Sequence, residues 1–184
     1  MTDLVICLPY FSGFGHTHRI AQAIAEGIGN PAHLIDVEHI TDKDWADLDA
    51  AHTIVFGAPT YMGSAAARFS LFLEAVDTRW EHGQWVDKLA AGFTTAIHPS
   101  GDKLATLQRL STFAAQMGMI WVGQSAIGTP VNPDQPGLNR DGSWLGLMVT
   151  EQLGATNDIP PEDISTARMF GTRILNATKR WNST

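Results

Sequence analysis

The stretch Leu4–Gly29 reads LVICLPYFSGFGHTHRIAQAIAEGIG, and its character changes twice. Leu4 to Leu8 is a short continuous apolar run, the mark of a strand buried on both faces of a parallel sheet. Small and polar residues follow from Ser12 to Thr17 and predict a turn. From His18 onward Ile20, Ile24 and Ile28, with Ala21 and Ala25, recur at helical spacing until Gly29, Asn30 and Pro31 stop the helix. Strand, glycine turn and helix make a first βα unit.

Working outward, the same alternation continues. His33–Val37 and Thr53–Gly57 read as the second and third strands, with a short helical turn over Asp44–Leu48 between them. The segment Ala58–Ser64 reads as a loop, and Phe69, Phe72, Leu73 and Val76 predict a helix after it. Ala91–Ile97 is the fourth strand, His98–Asp102 a loop, Leu104–Met117 a helix, and Met119–Gly123 the fifth strand. Ser125–Pro161 concentrates proline and glycine and reads as mostly irregular, with Leu145–Gln152 as one helix inside it. Ile164, Ala167, Gly171, Ile174 and Leu175 line a closing helix. Five strands alternating with helices imply a parallel sheet covered on both faces, within a single domain spanning residues 1–184.

Composition narrows the classes. A chain of 184 residues with 44% hydrophobic residues can bury a real core. Its net charge of −7 opposes nonspecific attraction to nucleic acid or an anionic membrane. No apolar run approaches a membrane span and the start lacks the pattern of a secretory signal, so the expected compartment is the cytoplasm. Cys7, the one cysteine, falls inside the first strand and is expected to be an inert buried thiol.

In such sheets ligands settle outside the carboxyl ends of the strands, which directs attention to three loops. In Ser12–Thr17 small residues let backbone N–H groups converge on an anion at the positive end of a helix, which suits a phosphate monoester. A dinucleotide fingerprint starting at Gly13 would need glycine where His18 stands, and a P-loop would need Gly-Lys-Ser/Thr. Asp36 lies at a distance suited to reading a ribose, which leaves a dinucleotide fold as an alternative. Pro59, Thr60, Tyr61, Met62 and Gly63 offer amides, a hydroxyl and an aromatic face on which a planar ring could stack. His98, Pro99, Ser100, Gly101 and Asp102 mix small and polar residues at the same sheet edge. His16 and His18 lack a carboxylate at metal-ligand spacing, so no metal site is expected.

Together these loops resemble the flavodoxin superfamily, and within it the WrbA-like NAD(P)H:quinone oxidoreductases. Tyr10–Gly27 resembles that family's FMN phosphate loop and first helix, and Phe56–Leu73 the loop that grips the isoalloxazine ring. Met117–Met119 is a weaker match, and Gly142–Gly146 followed by Asn157 resembles the C-terminal pattern. The resemblance implies a flavodoxin-like α/β sandwich with strand order 2-1-3-4-5. It also implies FMN bound by Ser12, Phe14, Gly15, His16 and Thr17 with the second and third loops. The implied activity is two-electron transfer from NAD(P)H through FMN to a quinone-like acceptor, in a homodimer or homotetramer. His98, whose imidazole can both give and take a proton, is the expected proton donor. The chain departs from the family at His98–Lys103 and at Trp144, where substrate would be chosen. Two rivals stand beside this reading: a flavodoxin-type electron carrier and a flavin-free interaction domain.

Overall fold

The computed structural model describes residues 4–151 and 159–183. In chain order the elements are β1 (Ile6–Tyr10), α1 (His16–Ile28), β2 (Ala32–Asp36), α2 (Asp42–Ala50), β3 (Thr53–Tyr61) and β4 (Ser64–Ala65). They continue as α3 (Ala67–Glu74), α4 (Asp77–Glu81), β5 (Leu89–Ala96), α5 (Lys103–Gln116), β6 (Ile120–Trp121), β7 (Leu147–Thr150) and α6 (Pro161–Trp181). The main strands run parallel in the order β2-β1-β3-β5-β6, with β7 also against β5. With β5 as the fourth strand, this is the expected 2-1-3-4-5 order, and the fold is the expected α/β sandwich.

The side-chain period of two divides the core. Ile6 and Leu8 of β1, Val55 of β3 and Phe93 of β5 pack under α1 and α6. Cys7, Ile54, Phe56 and Ala90 face the opposite way, against Leu48, Phe69, Trp85 and Leu110. Both faces are covered, so the central strands β1, β3 and β5 are buried along their length, save Tyr61 at the end of β3. Helices α1 and α6 cross at two glycines: a Cβ on Gly27 would lie 2.0 Å from the Arg168 carbonyl oxygen, and one on Gly171 would lie 2.1 Å from that of Ile24.

The fifth strand departs from expectation. Met119–Gly123 pairs only through Ile120 and Trp121, opposite Leu89 and Ala90, while Leu147–Thr150 pairs with Phe93–Ala96. β6 and β7 are thus two halves of one strand, interrupted by residues 122–146. The expected helix over Leu145–Gln152 is therefore corrected to a strand ending at Thr150; Gln152 lies outside the described residues. A four-residue apolar run has no decisive period, and here the open edge of β5 decides its conformation.

The third strand is also longer than expected. It runs to Tyr61, because Ala58 and Pro59 stay in register with Thr94 and Thr95 of β5. Met62 and Gly63, at φ of 49° and 79°, then turn the chain into β4. Two successive left-handed residues are what a tight hairpin turn requires. Pro59, Thr60 and Tyr61 are strand residues, not the loop expected over Ala58–Ser64.

Candidate functional site

The carboxyl edge of the sheet gathers all three segments. At the first, Phe11 N–H donates to the Gly57 carbonyl (3.0 Å), which holds the exit of β1 beside β3. Gly15, at φ 93°, lets the chain reverse into α1. Ser12 Oγ accepts from His18 N–H (3.1 Å), and Arg19 N–H donates to the Gly15 carbonyl. Among the described residues, the amides of Gly13 through Thr17 have no intramolecular acceptor. Five such consecutive donors at a helix N-terminus make a cradle of amides open to an acceptor. The Thr17 hydroxyl is buried against that of Thr95 (3.0 Å), so Thr17 offers the cradle its amide. Phe14 is exposed.

At the second segment, Thr60 turns its hydroxyl inward, 2.8 Å from those of Thr94 and Thr106. Tyr61 reaches back across the edge. Its ring meets Phe11 edge-on at 6.5 Å, and a Cβ on Gly13 would lie 2.6 Å from its hydroxyl. Burial, and then the charge of Glu151, push the Tyr61 phenol above its ordinary pKa. Met62 is fully exposed beside it.

At the third segment His98, Pro99 and Ser100 are exposed, and Gly101 and Asp102 take left-handed conformations before α5. A cavity of about 690 Å³ opens between this loop, the start of α5 and Trp144. Another groove, of about 500 Å³, lies between α3, α4 and α5 and carries none of the loop residues.

The structure also brings in partners that the sequence did not single out, among them Arg140, Asp141, Glu151 and Asp163. Lys103 is wholly buried at the first position of α5, where it pairs with Asp141 and donates to the Thr150 hydroxyl (2.5 Å). Arg140 makes a forked pair with Asp163 and donates to the Thr150 carbonyl (2.9 Å). Burial pushes the Asp163 carboxyl up against the downward pull of Arg140, while the guanidinium of Arg140 is raised by its partner. These pairs tie the inserted segment to α5, β7 and α6. His16, the first residue of α1, places Nδ1 3.1 Å from a Glu151 carboxylate oxygen. Glu151 follows β7, far away in sequence, and no local spacing announces it.

His18 stacks on Tyr10, with ring centres 5.1 Å apart. No group of three potential metal ligands occurs among the described residues. Trp85 is core, Trp80 is exposed, and Trp121 donates to the Leu145 carbonyl (2.6 Å). Asn157 lies outside the described residues.

A flavodoxin-domain family model matches residues 7–104, the span that holds the cradle, the β3 hairpin and the third loop. The chain belongs to the flavodoxin family. Among its relatives, flavodoxin FldP of Pseudomonas aeruginosa is 39% identical over 170 residues, covering 90% of this chain and 91% of that one. An NAD(P)H dehydrogenase (quinone) of Geobacter sulfurreducens is 30% identical over 143 residues, covering 64% of this chain and 70% of that protein. The crystal structure of a flavodoxin, WrbA-like protein from Agrobacterium tumefaciens superposes with a TM-score of 0.78 at 35% identity, covering 98% of this chain and 100% of the other. The resemblance to WrbA-like members of the flavodoxin family therefore stands. No helix among the described residues is long and apolar enough to cross a membrane.

Proposed function

We propose that this flavodoxin binds FMN at the carboxyl edge of its sheet and carries two electrons from NAD(P)H to a quinone-like acceptor. The observation that supports it most is the run of open amides at Gly13–Thr17 on the same sheet edge as the β3–β4 hairpin and the loop before α5. The residues present fit the cofactor: amides for a phosphate, Tyr61 and Trp144 as exposed rings, and a buried His16 Nε2 with no partner among the described residues. When bound, FMN supplies the hydride and electron chemistry. The chain's part is to fix the phosphate through Gly13–Thr17 and to border the ring with Pro59–Gly63 and Pro99–Asp102. His98, exposed beside the third loop, is the candidate proton donor.

A second reading, an electron carrier that docks on partner proteins, is favoured by the match to flavodoxin FldP along 91% of that protein. Anaerobic addition of NADH or NADPH to the FMN-loaded chain separates the two. Bleaching of the flavin, reversed by benzoquinone, supports the reductase; bleaching only after a reductase protein is added supports the carrier. Protein that stays colourless after incubation with FMN removes both. Assembly as a homodimer or homotetramer belongs to the reductase proposal and is read by sedimentation of the loaded protein.

A further inference from the structure

We infer that the cavity between α5 and the segment inserted after β6 binds a neutral, flat aromatic molecule, with Trp144 as its stacking face and Asp102 as the group that turns anions away. The cavity measures about 690 Å³, within the range of small-molecule sites. Two stretches far apart in sequence wall it: Ser100, Asp102, Leu104 and Gln108 on one side, Trp144 and Met148 on the other. Ser100 and Asp102 belong to His98–Lys103, which with Trp144 is where the chain departs from the motifs it resembles. The fold brings both departures to one cavity, and no residue of the Ser12–Thr17 turn lines it.

The backbone around Trp144 is fixed from several sides. Gln124 N–H donates to the Trp144 carbonyl (2.9 Å), and the Trp121 indole N–H donates to that of Leu145 (2.6 Å). The buried Asn139 side chain accepts from Ser143 N–H (3.1 Å) and donates to the Ser143 carbonyl (3.2 Å). A Cβ on Gly123 would lie 2.5 Å from the Trp144 carbonyl oxygen, so only glycine lets the two segments close. On this pinned backbone Trp144 stays 55% exposed. A large ring on a fixed backbone, left half in solvent, is a ready stacking face, because little order remains to be lost on binding. Leu104, also exposed, adds apolar surface, and the Met148 thioether suits an aromatic edge.

Charge decides the class of ligand. No lysine, arginine or histidine lines the cavity among the described residues. Asp141 is already answered by Lys103 and by the Thr150 hydroxyl (2.8 Å). Asp102, at the N-cap of α5, is exposed, makes no side-chain bond to the helix, and enters none of the ion pairs among the described residues. Its charge offsets the positive end of α5 and stays open to the cavity. A neutral ring system therefore stacks without electrostatic penalty, while a sulfonate, carboxylate or phosphate meets a carboxylate. The class matches a neutral quinone-like acceptor and not NAD(P)H; that link alone rests on the function proposed above.

The test is equilibrium binding of menadione and of a naphthoquinone sulfonate, one ring system without and with a charge, to the protein in saturating FMN. Indole N–H signals are followed by 15N NMR, that of Trp144 being identified by its loss in Trp144→Leu, and affinities come from equilibrium dialysis. Menadione should move the wild-type Trp144 signal saturably and bind at least about fivefold tighter than the sulfonate. Asp102→Asn tolerates the left-handed backbone and should bring the two to within about twofold. Trp144→Leu should weaken menadione at least about tenfold, and Trp144→Phe by about threefold at most. A Trp144 signal indifferent to menadione, equal wild-type affinity for the two quinones, or wild-type menadione affinity in Trp144→Leu overturns the inference. A signal that FMN moves and menadione then leaves unchanged gives the ring to the flavin and overturns it too. Where the loaded protein turns over, Trp144→Leu should raise KM for menadione and not for NAD(P)H; the reverse assigns the cavity to the donor and overturns the inference. If FMN does not bind, the same titrations are made on the flavin-free chain, and menadione at Trp144 then supports the inference while the proposed function falls.

Discussion

Cys7 shows how much a single position can carry. Its thiol is buried in β1, and burial pushes its pKa from 9.0 up to about 12. The folded chain therefore keeps the proton above pH 9 while the unfolded chain loses it, so the contribution to stability falls as pH rises from 9 towards 12. At pH 10 the loss from this group is roughly 1 kcal/mol. Urea midpoints at pH 8 and pH 10 should diverge more for wild type than for Cys7→Ala. Equal divergence would mean that other groups set the alkaline limit. Gly15 makes a separate point, because its left-handed backbone can be tested apart from charge. Asn tolerates that conformation while Asp adds a negative group facing the cradle. Gly15→Asn should weaken FMN binding modestly and Gly15→Asp by about 100-fold or more, since roughly 3 kcal/mol separates a lost charge-assisted contact from a repelling one. Equal affinities would move the phosphate elsewhere.

At the scale of elements, two contacts hold the site's frame. The α1–α6 crossing depends on the absence of side chains at Gly27 and Gly171, which brings helix surface onto carbonyl oxygen. Gly171→Ala should destabilise by about 1–3 kcal/mol by urea denaturation despite alanine's better helix propensity, because overpacking exceeds the propensity gain. A stabilised variant would show that the helices can separate freely. The Lys103–Asp141 pair holds the segment inserted between β6 and β7 against α5. Lys103→Met alone leaves Asp141 buried without its partner and should cost about 3–5 kcal/mol. Lys103→Met with Asp141→Leu should recover most of that, because no charge is then left buried. Full loss in the double variant would assign the effect to packing.

For the whole molecule, a ligand that binds only the folded chain adds stability by mass action. FMN at about 100 times its Kd should add about 2.7 kcal/mol and raise Tm by about 5–10 °C. A melting temperature indifferent to FMN would argue for the flavin-free alternative. The sequence by itself determined the alternation of strands and helices, the turn at Ser12–Thr17 and the covered parallel sheet, because apolar periodicity and glycine placement are local properties. It misjudged the end of β3 and the second half of the fifth strand, since whether Pro59–Tyr61 or Leu147–Thr150 is extended depends on the free edge of β5. Nothing local could place Lys103 in the interior or Glu151 against His16. A lysine after aspartate reads as solvent-facing, and a carboxylate 135 positions from a histidine becomes its neighbour only when the fifth strand docks beside β5. The Ser12–Thr17 turn was therefore written in the sequence, and tertiary structure chose the charges around it, because pairing across the sheet brings together residues that no local spacing connects.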